Sequence, residues 1–157
     1  AQSSFDFLLS KTFRENSIKV VSNKSWLHKG EEVTKGIPGG EQPIDVAYTI
    51  LALSKFYDVF RDEEFRHKME ISFNWFLGNN HLHQVIYNPC TGGCYDGLEE
   101  NNVNLNQGAE STVSYLMARL TVEKYFESEQ NIILPKTVFN HKERFLKLPN
   151  QNQLADV

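Results

Sequence analysis

The segment from Pro43 to Phe60 constrains the fold more than any other part of the chain. Its apolar side chains fall on both sides of a helix: Ile44, Tyr48 and Leu51 on one, Val46, Ile50, Leu53 and Tyr57 on the other. A helix that is apolar nearly all round has no wet face to present and has to be enclosed by neighbours. Pro43 fits its first turn, where the missing N–H has no partner inside a helix. The rest of the chain must therefore supply the helices that cover it.

The next segment, Glu63 to Leu77, has a different pattern. Phe65, Met69, Phe73 and Phe76 form one stripe, and Glu64, Arg66, His67, Lys68 and Glu70 face water, which predicts an outer helix. Gly78-Asn79-Asn80 is its stop. An inner helix is thus followed by an outer one across a short Arg61-Asp62 turn. A glycine-rich stretch from Asn88 to Leu98 then leads to a third strong helix, Ala109 to Phe126. Asn106 is its expected N-cap, and Val113, Leu116, Met117 and Leu120 its expected core face. Upstream, Ser4 to Arg14 sets Phe5, Leu8, Leu9 and Phe13 on one face, and Ile18 to Val21 reads as a few extended residues. A long loop carrying Trp26 and His28 fills 23–40, a length that is uncommon without a function. The fold class expected is all-α: antiparallel hairpins of alternating buried and half-exposed helices over 1–126, their long polar loops gathered at one end. Residues 127–157 read as a polar tail, partly unordered, with one short helix around Val138 to Leu146.

A formal net charge of -4 and a pI near 5.7, with no basic run among the aromatics, exclude an extended nucleic-acid surface. No apolar run approaches the ~20 residues of a membrane span, and no charged leader with a cleavage site opens the chain. The missing initiator Met and the helix at the very start read as a piece of a longer protein. Cys90 and Cys94 lack a second cysteine pair, with only His81 and His83 nearby, and a zinc site needs about four ligands. A disulfide across this short loop is the other alternative, equally without support in the spacing, and the favoured expectation is two free thiols in an intracellular, cytoplasmic protein, with no metal and no cofactor.

Several motifs occur in order: Trp26; Gly39-Gly-Glu-Gln-Pro-Ile-Asp-Val-Ala47; Phe73-Asn-Trp-Phe-Leu-Gly-Asn79; Thr91-Gly-Gly-Cys-Tyr-Asp-Gly-Leu98; Asn104-Leu-Asn-Gln-Gly-Ala-Glu-Ser-Thr112. Together they resemble the C-terminal helical region that follows the catalytic part in some bacterial retaining glycosyltransferases with two Rossmann domains. That region is similar to the (α/α) toroids of the six-hairpin glycosidase and N-acylglucosamine 2-epimerase superfamily. The resemblance covers roughly residues 1–126 and implies part of an (α/α) toroid. The sequence holds no series of strand, Gly-rich turn and helix, so the Rossmann domains of such an enzyme are not in this chain. Four or five helices are also too few for a complete ring, and no glycosyltransferase activity is expected of this region alone.

The resemblance further implies a sugar or glycan ligand, held in a polar funnel where inner-helix ends and long loops meet. Trp26 and Tyr95 are the candidate aromatic faces for a pyranose, with Trp75 a weaker third. Glu41, Gln42, Asp45, Asp96, Asn106, Gln107 and Glu110 are the candidate hydrogen-bonding groups. Each has a plainer explanation. Glu41 and Glu110 read as first-turn carboxylates favoured by the helix dipole, Asn106 as a cap, Asp96-Gly97 as a turn pair and Trp75 as core. Two alternatives to a glycan-binding module follow: a glycosidase- or epimerase-like half-ring completed by another segment, and a non-catalytic assembly scaffold. Epimerases of the related superfamily use histidines as acid and base, and neither inner-helix start contains one. An open fragment of a ring leaves apolar flanks uncovered, so a homo-oligomer, or contact with the missing helices or Rossmann domains of a longer chain, is expected.

Overall fold

The described residues form four helices and one short hairpin: α1 (Gln2–Thr12), α2 (Pro43–Phe60), α3 (Glu63–Phe76), β1 (Gly97–Leu98), β2 (Val103–Asn104) and α4 (Ala109–Phe126). They come from a computed structural model that describes residues 2–24, 29–30 and 39–126. Trp26, His28 and the expected tail lie outside the described residues. The class is mostly helical, as expected, with a small two-stranded antiparallel sheet added: Gly97 pairs with Asn104 and Leu98 with Val103.

The turn from α2 to α3 is made by two residues with complementary roles. Arg61 adopts the left-handed conformation at φ 55° and its N–H returns to the Tyr57 carbonyl, which closes α2. Asp62 then caps α3 by accepting from the Glu64 N–H at 2.9 Å, a bond worth about 1 kcal/mol. At the far end of α3, Trp75 reaches Glu41 just ahead of α2, so α2 and α3 run antiparallel. α4 begins beside the start of α2 and ends beside its end, where the Tyr125 hydroxyl donates to Asp58 at 2.9 Å. α2 and α4 therefore lie side by side and parallel, with α3 packed against both.

Val46, Ala47, Ile50 and Leu53 of α2 are fully buried. Its other face opens at Tyr48, which is 60% exposed. From α3, Met69, Trp75 and Phe76 lie wholly inside. Tyr115 of α4 stacks on Tyr87 at 4.4 Å and meets Phe73 and Phe76, so an aromatic cluster fills the space between α3, α4 and the loop. Each such ring contributes about 1.5–3 kcal/mol through burial. α1 adds Phe5, stacked on Phe56 at 4.2 Å, and Leu9, whereas Leu8 faces solvent. The extended run after α1 buries Ile18 and Val20, with Ile18 bridged back to Phe13.

The expected core face of α4 requires correction. Its buried residues are Ser111, Ser114, Tyr115, Ala118, Val122 and Phe126, while Val113, Leu116 and Leu120 are exposed at 52%, 45% and 66%. The buried face mixes small side chains (Ser111, Ser114, Ala118) with Tyr115, Val122 and Phe126, and the aliphatic Val113, Leu116 and Leu120 are left on the outside. No helix among the described residues is long and apolar enough to cross a membrane.

Candidate functional site

The starts of α2 and α4 meet the β1–β2 hairpin in an open cleft of about 330 Å³. Its wall is built by backbone pairing. Glu41 and Leu98 exchange both backbone hydrogen bonds, at 3.1 and 2.9 Å, so Glu41, two residues ahead of α2, pairs as an isolated antiparallel bridge beside β1. Gly97 permits this approach. It has φ of +146°, and a Cβ there would collide with the Glu41 carbonyl oxygen. Asp96-Gly97 is thus a strand entry, not the turn pair expected from the sequence. Gly39 makes a similar close approach, to the backbone of Glu99 and Glu100.

Glu41 does not sit in the first turn of α2. It precedes the helix, and its side chain turns inward, 2% exposed. Trp75 Nε1 donates to Oε2 at 2.9 Å, and His81 Nδ1 lies 3.0 Å from Oε1. Trp75 itself is wholly buried and offers no face to a sugar. The N-cap of α2 is Gln42, which makes no side-chain capping bond, leaving its amide at the cleft.

Asp96 performs the cap expected of Asn106. α4 begins at Ala109, and Asp96 Oδ1 accepts from the Gly108 N–H at 2.8 Å and from the Ser111 hydroxyl at 2.7 Å. The carboxylate thus reaches the positive end of α4 from a different element. Asn106, exposed and three residues ahead of α4, contributes backbone: its carbonyl accepts from the Asp96 N–H at 2.8 Å.

Tyr95, Asn106 and Gln107 do not line the cleft. The Tyr95 hydroxyl accepts from Asn88, and Gln107 accepts from the Thr91 hydroxyl at 2.5 Å, bonds that order the glycine-rich loop. Glu110 does line it, in the first turn of α4. Among the described residues, no hydrogen bond engages the Glu110 or Gln42 side chain. Asp45, in the first turn of α2, is held above the ordinary carboxylate range by lost hydration and then by the nearby Glu110 carboxylate. The cleft therefore gathers Gln42 and Glu110, flanked by Asp45 and backed by Glu41 and Asp96, both already bonded to protein. Asn23, Asn104 and Glu99 complete its polar lining.

Sequence reasoning missed His81. No histidine stands near the start of α2 in the chain, yet the loop after α3 carries one there in space. Asn80 shapes that loop: its buried amide donates to the Trp75 and Gln84 carbonyls, both at 2.8 Å. A histidine just beyond a helix-ending Gly-Asn-Asn was the available signal.

Both cysteines are free. Cys90 is exposed; Cys94 is buried, and its thiol is pushed up to about 12 by burial and then by the Asp96 charge. Among the described residues no group of three or more His, Cys, Asp or Glu side chains is placed to hold a metal ion. No protein-family model and no curated protein matches this sequence.

Proposed function

We propose that this chain is a carbohydrate-associated helical module, part of an (α/α) toroid, that binds or positions a glycan in the cleft. In this reading it is the C-terminal part of a bacterial glycosyltransferase-like protein, whose Rossmann domains and remaining helices belong to a longer chain. One observation carries the proposal: two parallel helices start at one polar cleft, and among the described residues Gln42 and Glu110 stand there without a side-chain hydrogen bond to the protein. Amide and carboxylate groups with spare hydrogen-bonding capacity in a concavity are what sugar hydroxyls require. Among the described residues the cleft lining contains no aromatic side chain, so any stacking face has to come from elsewhere, with Trp26 the candidate. The experiment is a glycan-binding screen on the wild type, Gln42→Ala and Glu110→Gln. Both variants should lose at least tenfold in affinity, about 1.4 kcal/mol, while melting with the wild type. Unchanged affinity in both would remove the cleft from the account.

A second reading, the non-catalytic scaffold, draws support from Glu41 and Asp96, which are engaged in holding the fold. The exposed apolar side chains of Tyr48 on α2 and of Val113, Leu116 and Leu120 on α4 are where a second copy would associate. Strictly monomeric elution at high concentration would count against association. A hydrolytic half-ring would draw on Asp45 and Glu110, two neighbouring carboxyls of which Asp45 is raised from its ordinary value by lost hydration and then by the Glu110 charge. Release of reducing sugar that disappears in Glu110→Gln would favour it.

A further inference from the structure

His81 sits between two hydrogen-bond acceptors. Its Nδ1 lies 3.0 Å from Glu41 Oε1, and its Nε2 lies 2.9 Å from the Glu99 backbone carbonyl. A neutral imidazole carries one N–H and one lone pair. A neutral ring can donate from Nε2 to the Glu99 carbonyl but then brings no positive charge to Glu41 Oε1, whereas the doubly protonated ring meets the carbonyl by a hydrogen bond and the carboxylate by an ion-pair contact. The Glu41 side is the more demanding. The carboxylate is 2% exposed, Trp75 supplies one donor to Oε2, and Oε1 accepts no hydrogen bond, so the imidazolium is its nearest compensation. A buried carboxylate that loses its only adjacent positive charge is costly to keep in place.

The same contacts join three elements of the cleft wall: Glu41 ahead of α2, the end of α3 through Trp75, and the hairpin through Glu99. We propose that His81 is a proton-operated latch on this wall. Charged, it ties Glu41 to the hairpin; neutral, it releases one of the two ties, and the junction of hairpin and α2 loosens. Among the described residues the titratable group facing it is the Glu41 carboxylate; on the hairpin side it meets the Glu99 backbone carbonyl, while the Glu99 carboxylate lies on the same turn. Lys24 is already paired with the Glu99 carboxylate and so takes up part of that charge. His81 and His83 are both exposed on this loop, and His81 alone of the two contacts Glu41. The latch stands on the geometry of the wall and does not require that a glycan occupy the cleft.

The Trp75 indole N–H reports the state of Glu41 directly. The test follows its ¹H–¹⁵N resonance in the full chain from about pH 5 to 8, the span in which histidine changes charge. Trp75→Phe assigns the signal, since Trp26 is the chain's other tryptophan. The wild-type resonance should move through a single inflection that coincides with the titration of the His81 ring nitrogens in the same sample. The inflection should vanish in His81→Gln and persist in His83→Gln. A pH-independent indole signal, an inflection surviving in His81→Gln, or a midpoint different from that of the His81 ring overturns the proposal. The comparison of the two wild-type midpoints needs no variant, so it decides the matter even if His81→Gln fails to fold.

Discussion

Two helices begin at the cleft and each has a carboxylate near its start, but the two carboxylates are used in opposite ways. At α4, Asp96 points at the helix end and satisfies the Gly108 N–H and the Ser111 hydroxyl, although it belongs to the stretch entering the hairpin. At α2, Glu41 is adjacent to the helix in sequence and turns away from it, into the core, to meet Trp75 and His81. The N-cap Gln42 is left without a capping bond. One helix start is closed by its carboxylate and the other is left open to the cleft. A Glu-Gln pair near a helix start therefore does not define a role, because the surrounding elements decide where the carboxylate goes.

The contrast can be broken first at Glu41. Glu41→Ala strands the buried indole N–H of Trp75 and should cost about 2–3 kcal/mol in chemical denaturation. Glu41→Gln keeps an acceptor for Trp75 and should cost less. A loss below that of an ordinary surface substitution, about 0.5 kcal/mol, would mean that the inward bonds carry no weight. At the other helix, Asp96→Ala should cost about 1–2 kcal/mol, the worth of a lost cap, and Asp96→Asn clearly less because the amide oxygen still accepts. Equal losses for the two Asp96 variants would show that charge rather than hydrogen bonding closes α4.

A smaller effect concerns pH. The folded state holds the Asp45 proton above the ordinary value of 3.8, so it binds that proton where the unfolded chain has released it. Stability from this group is therefore present at low pH and falls as pH rises from the ordinary value through the raised one. Melting temperature measured across that range should fall less in Asp45→Asn than in the wild type, and also less in Glu110→Gln. The smallest effect should come from the outer face of α4: Leu120→Ser should change stability by no more than about 0.5 kcal/mol. A loss of several kcal/mol would return Leu120 to the core, where its hydrophobicity first placed it.

That reversal marks how far the sequence could be read. The bounds of α2, α3 and α4 were legible because apolar spacing, Pro43, Asp62 and Gly78 act locally. The buried side of α4 was not, because it mixes the small Ser111, Ser114 and Ala118 with Tyr115, Val122 and Phe126, a set that apolar spacing does not single out. Within the cleft, the glycines and the Glu41-Gln42 and Glu110 positions were legible as a polar cluster. The partners were not: Asp96 acts on a helix in a later element, and His81 reaches Glu41 from the far side of α3. Such pairings depend on how the chain folds back, which local spacing does not encode.

The central claim is that the open start of α2 and the first turn of α4 together hold a glycan. Amide chemical-shift mapping with a panel of neutral and charged oligosaccharides tests it most directly. A binding glycan should shift Gln42, Gly97 to Glu99 and Gly108 to Ser111 as one connected patch. Shifts confined to other surfaces, or none with any glycan in the panel, would contradict it.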